Sequence, residues 1–166
     1  MDARRVPSLY EWVGGSEALY RLTAKFYDEK VLKDDSLRPL FEGMSTEHPR
    51  HVADFIGEVL GGPKVYSEQR GGHAHMASRH FGRNLTQAQR RRWLELLLET
   101  ADEVGIPDDP EFRSAFVAYL EWGSRLAVVN SQLPHGTAAN ESPMPKWNWG
   151  VPGGPYMPED PGAQKS

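Results

Sequence analysis

Ser67–His80 reads SEQRGGHAHMASRH, and Trp93 follows thirteen residues after the last histidine. The paired glycines Gly71 and Gly72 interrupt any helix that reaches them, because glycine enters left-handed backbone at little steric cost. From His73 to Arg79 there is room for two helical turns at most. His80 then stands at the end of a short segment. Ahead of it, Lys64 to Gly72 shows no apolar periodicity and reads as a loop.

Downstream, Thr86 and Gln89 have the spacing of a capping box, which opens a helix to about Val104. Trp93, Leu94, Leu97, Leu98 and Ala101 supply its apolar face, and Gly105 ends it. Asp109 caps the next helix, Pro110 takes its first position, and the helix runs to about Asn130 with Phe112, Phe116, Leu120 and Ala127 as its stripe. Upstream, Gly14-Gly15 separates a short leading segment from a helix capped at Ser16 and running to about Leu32. Leu19, Leu22 and Phe26 recur along it at helical spacing, with Tyr27 alongside. Asp34-Asp35-Ser36 punctuates the chain, and Leu37 to Phe41 is a short helical turn. Ser45 or Thr46 caps a helix carrying His48, with Pro49 in its first turn. Val52, Phe55, Ile56, Val59 and Leu60 form one apolar face before Gly61-Gly62-Pro63 stops it. No strand alternation, repeat, dinucleotide motif or phosphate loop appears. The expected class is all-α, with helices packed around one core.

Composition narrows the function. At 166 residues, 39% of them hydrophobic, the chain can bury one core. A net charge of −4 gives no argument for nucleic acid or an anionic membrane as partner. The absence of cysteine excludes disulfides, thiolate metal sites, thiolate-ligated haem and covalent haem attachment. The opening MDARRVPSLYEW has no apolar core of a secretory signal, and no apolar run approaches a membrane span, so a cytoplasmic location is expected. His73, His75 and His80 lack carboxylate or thiolate companions at ligand spacing, which argues against a zinc site. The basic run Arg90-Arg91-Arg92 reads as solvent-facing. One axial imidazole, polar aromatic groups near it and enough apolar helix to enclose a flat ligand describe a haem pocket.

The chain resembles the truncated haemoglobins, two-over-two helical globins, of the second group. The likeness spans roughly Leu9 to Ser131. It runs through YEWVGG, KFYDEKV, PLFEGM, EHPRHVADFIGEVLGGP, YSEQRGGH, SRH, RRRWLELL and YLEWGSRLAVVNS in that order. The resemblance implies one haem b per chain, with His80 as the iron ligand and the opposite axial site open. It implies distal hydrogen-bond donors Tyr27, Trp93 and His48. His51 is a rival to His48, and the register to Gly61-Gly62 favours His48. It further implies cofactor contacts from Phe41, Val52, Phe55, Met76 and Trp93. Arg79 and Tyr66 would stand near the propionates, with Lys64 and His73 as weaker candidates.

Three kinds of function remain open. One is reversible binding of dioxygen, and of CO and NO, with several distal donors slowing release and so favouring scavenging or redox chemistry over bulk delivery. Another is enzymatic turnover, as a peroxidase or nitric oxide dioxygenase supplied by a reductase. The last is diatomic sensing, or a haem-free helical module. A homodimer is the oligomer to look for. Residues 133–166 form a Pro/Gly-rich extension beyond a globin domain of residues 1–132. Its Trp147, Trp149 and Tyr156 argue that part of it packs on the globin surface or on a partner chain, since large aromatics are costly to leave in water.

Overall fold

A computed structural model describes residues 5–139 and 142–150. Tyr156 and the rest of the far C-terminal residues lie outside the described residues. Among these residues the architecture is all helical, with no strand. α1 (Leu9–Val13) is capped by Ser8, whose Oγ accepts from the Glu11 N–H, and it ends at Gly14 in left-handed backbone at φ 106°. α2 (Gly15–Lys25) starts directly behind it. Ser16 therefore lies inside the helix rather than capping it, and its N–H donates to the Tyr10 hydroxyl. The tertiary partner replaces the side-chain cap that local sequence suggested.

α2 does not run as one α-helix to Leu32. It widens into a π turn over Phe26–Lys30 and tightens into a 3-10 turn over Val31–Lys33. π turns occur mostly as single insertions in longer helices, often at functional positions, and this one carries Phe26 and Tyr27. α3 (Arg38–Phe41) follows an Asp34 turn in which Oδ1 accepts from the N–H groups of Ser36 and Leu37. α4 (His48–Val59) starts after Glu47 without a side-chain cap, with Pro49 in its first turn.

The expected loop over Lys64–Gly72 is largely helix. α5 (Val65–Arg70) forms there although Lys64 offers no cap. Its orphan N-terminal groups find Glu58 instead. That buried carboxylate accepts from the Ser67 N–H at 2.8 Å and from the Ser67 hydroxyl. A helix of six residues shows no periodicity, and its cap comes from another helix. α6 (Gly72–Ser78) and α7 (Gln87–Glu103) follow the sequence reading, and the Thr86–Gln89 capping box is formed in both directions. α8 (Pro110–Ser131) is capped by Asp109. Asp109 also accepts from the Trp12 indole N–H, which ties the leading segment to the start of α8.

α2 packs on α4, α7 packs on α8, and α2 with its π turn meets α7. Leu19, Leu22, Phe26, Val59, Leu60, Leu97, Phe112 and Phe116 are sealed in the core between the two pairs. Two of the three arginines at the start of α7 depart from the expected solvent-facing run. Arg90 is buried against Gln87, Glu121 and Ser124, and Arg92 pairs with Asp34 at 2.5 Å. No described helix is long and apolar enough to cross a membrane.

Beyond α8, residues 142–150 return along the molecule. The Trp147 N–H donates to the Val59 carbonyl at 2.8 Å, and the Trp149 indole donates to the Pro7 carbonyl at 2.7 Å. Trp149 is buried between Trp12 and Phe112.

Candidate functional site

Between the two helix pairs lies a cavity of about 600 Å³. α4 faces it with His48, His51, Val52, Phe55 and Ile56. The π turn contributes Tyr27, and α3 contributes Leu40 and Phe41. The segment singled out at the start of the sequence reading supplies His73, His75, Met76, Arg79 and His80, while Trp93 comes from α7. All ten residues expected to touch the cofactor or its ligand therefore line one space: Tyr27, Phe41, His48, Val52, Phe55, Tyr66, Met76, Arg79, His80 and Trp93. His51 also reaches it, and Lys64 does not.

One wall is polar and aromatic. The Tyr27 ring is buried and stands edge-on to His48 at 4.6 Å and beside Phe41 at 5.3 Å between ring centroids. The Trp93 indole N–H donates to the Tyr27 hydroxyl at 3.3 Å. An indole can only donate, so the phenol accepts there and keeps its own proton to give elsewhere. Burial raises the Tyr27 pKa, with the Trp93 contact acting weakly the other way. The group stays a neutral phenol throughout the biological pH range. Burial likewise holds His48 down to about 4, helped by His51 and the nearby arginines. Its Nε2 is enclosed and has no hydrogen-bond partner.

His80 sits at the close of α6, where Gly82 and Asn84 let the chain turn with positive φ. Burial also holds its imidazole down to about 4, with the Met76 backbone pulling weakly upward. Its Nδ1 is enclosed and makes no hydrogen bond of normal geometry. The loop after it is fastened to the end of α8: the Gly82 N–H donates to the Leu133 carbonyl, Asn84 N–H to that of Ser131, and Leu85 N–H to the Ser131 hydroxyl. A Cβ on Gly82 would collide with the His135 ring. The rim is cationic. Arg79 and Arg83 are exposed at the edge, and Arg83 spans the opening by donating to the carbonyls of Arg79 and Leu40.

An apolar slot with neutral imidazoles inside, the His48 Nε2 among them without a partner, and guanidinium groups outside suits a flat, largely apolar group that has a metal centre and carboxylate edges. A buried polar atom without a partner costs free energy that such a group removes when it supplies the missing contact. Haem fits this donor set. Among the described residues no cluster of histidines and carboxylates forms a closed ion site of its own.

The α8 side of the cavity was not assigned from sequence. Tyr119, Leu120, Gly123, Ala127 and Val128 line it, as do Leu85 and Arg83. The apolar stripe of α8 signals burial, and nothing in its spacing says whether it faces a core or a cavity.

A model of the bacterial-like globin family matches residues 8–122. The group 2 truncated haemoglobin YjbI of Bacillus subtilis is 33% identical over 123 residues, which are 74% of this chain and 89% of that protein. Among solved structures, the group II truncated haemoglobin of Bacillus anthracis superposes with a TM-score of 0.68 at 26% identity, covering 81% of this chain and 98% of that one. A truncated oxygen-avid haemoglobin from Bacillus subtilis superposes at 0.65 with 31% identity, covering 74% and 99%. The chain belongs to the bacterial-like globins and, within them, to the truncated haemoglobins of the second group. Haem-based oxygen binding is the general property of that family.

Proposed function

We propose that this cavity holds one haem b per chain on His80 and binds dioxygen reversibly, releasing it slowly. The observation that carries the reading is the pairing inside one cavity of an enclosed, uncharged His80 with a Tyr27–Trp93–His48 wall of neutral donors. Haem, if held by His80, would supply an iron able to bind a diatomic molecule.

The protein's part follows from its own groups. At neutral pH the His80 ring is unprotonated, so a nitrogen lone pair is available to a metal without first losing a proton. Met76, one turn earlier on α6, offers the backbone acceptor that fixes the ring's tautomer. Tyr27 donates its free O–H into the cavity while Trp93 holds its oxygen in place. His48 adds an N–H from the start of α4. Arg79 and Arg83 would hold the carboxylate edge of the cofactor at the rim, with Tyr66 also on the cavity lining.

Several donors converging on a small ligand favour retention over delivery, and the oxygen-avid relative from Bacillus subtilis supports this reading. The same site admits CO and NO. Redox use requires a reductase. The direct test is stopped-flow measurement of oxygen release alongside nitric oxide turnover. Slow release that quickens when Tyr27 or Trp93 is changed supports retention. Fast release from the unaltered protein contradicts it.

A further inference from the structure

No residue of α6 is buried, and Gly71 offers it no side-chain cap. Packing along the helix therefore does not fix its closing end, just before His80. The anchor lies beyond, where the last residues of α8 grip the stretch from Gly82 to Leu85. The Gly82 N–H donates to the Leu133 carbonyl at 2.6 Å, and the Asn84 N–H to that of Ser131 at 2.9 Å. Leu85 is held on both sides. Its N–H donates to the Ser131 hydroxyl at 2.9 Å, and its carbonyl accepts from the Gln132 amide at 3.0 Å. A helix end leaves its last carbonyls without helical partners, so loop N–H groups can take them up.

Ser131 is the centre of this grip. It is fully buried, and its hydroxyl also donates to the Val128 carbonyl at 2.7 Å and accepts from the Gln132 amide at 3.0 Å. One proton is given and both lone pairs are taken, so the hydroxyl is saturated. It cannot turn without leaving a buried polar group unpaired. Directly after Leu85, Thr86 caps α7, so the same grip stands between His80 and the helix that carries Trp93. Ser131 does not line the cavity, so it reaches the site only through the loop.

We propose that Ser131 is a positioning residue for His80. With Gln132 and Leu133 it fixes how the imidazole is presented to the cavity, and so how firmly it would hold the haem iron. This rests on the haem reading above. Groups behind a metal ligand commonly change affinity by about 10- to 100-fold when removed.

The test takes the haem-loaded full chain, ferrous and without added ligand, and reads the iron–histidine stretching band by resonance Raman. Ser131→Ala should lower and broaden that band, and haem loss to an acceptor globin should quicken by about tenfold. Gln132 is exposed, so Gln132→Ala keeps the fold and should move the band the same way by less. Asp109→Ala weakens the cap at the opposite end of α8 and should lower Tm while leaving the band in place. A band unchanged in Ser131→Ala, or in Gln132→Ala where Ser131→Ala does not fold, would overturn the proposal and leave haem binding intact. An equal shift in Asp109→Ala would do the same. An unaltered chain that shows no iron–histidine band would overturn the haem reading and this one with it.

Discussion

Two residues show how differently a side chain can be read from sequence. Trp93 and Tyr27 are 66 positions apart, and only the fold brings the indole N–H to the phenol. One hydrogen bond with charge assistance is worth roughly 1.5–3 kcal/mol. Tyr27→Phe or Trp93→Phe should therefore speed oxygen release about 10- to 100-fold. Release within twofold of the unaltered protein would take that residue out of the ligand's surroundings. His48 makes a different prediction. Its folded pKa is held to about 4 against an ordinary 6.5, so between those values the unfolded chain binds a proton that the folded chain does not. Stability is therefore full above the upper value and is lost as pH falls through the window. Urea midpoints at pH about 7 and about 5 should differ, and His48→Gln should narrow the difference. An unchanged gap means that His48 is not held neutral. The resemblance to the truncated haemoglobins of the second group points to His80, Tyr27 and Trp93, and the fold brings all three to one cavity. Arg90 was not legible, since an arginine's burial depends on Glu121 and Ser124 across the helix pair.

At the scale of elements, sequence signals worked wherever a helix carries its own cap and stripe, as α7 and α8 do. They failed at α5, whose cap is Glu58 on α4. Glu58→Ala should cost about 1 kcal/mol, in line with the loss of other N-terminal caps. Hydrogen exchange at Ser67 and its neighbours should quicken while α7 stays protected. Equal protection with and without the carboxylate would mean that α5 holds itself. The π turn at Phe26–Lys30 was likewise invisible, because its residues suit an ordinary α-helix and only tertiary contacts select the wider turn. The turn after His80 is more exacting. Gly82 has φ +76° and no room for a Cβ beside His135, so Gly82→Ala should destabilise the fold and loosen the attachment of that loop to α8.

For the whole molecule, the apolar stripes give the all-α class, while the two-over-two pairing of the helices is what the resemblance to the truncated haemoglobins implies and the structure has. The path of residues 142–150 follows from neither, since Pro and Gly erase any period and only the tryptophans hint at burial. Trp149 is sealed between Trp12 and Phe112, and losing a buried aromatic costs about 3–5 kcal/mol. Deleting residues 139–166 keeps the Leu133 and His135 contacts to the His80 loop. It should lower Tm by roughly 10 °C. The haem spectrum should survive, because the residues lining the cavity all precede the cut. An unchanged Tm would show that this segment adds nothing to the fold. The central claim concerns the same cavity: it takes one haem, and His80 is the residue that binds the iron. Hemin titration of the unaltered chain and of His80→Ala, side by side, tests it most directly. The unaltered chain should saturate at one haem with a sharp Soret band and a ferrous-carbonyl spectrum typical of histidine ligation, while His80→Ala should bind haem weakly and lose that spectrum. Identical Soret and ferrous-carbonyl spectra from both proteins would contradict it.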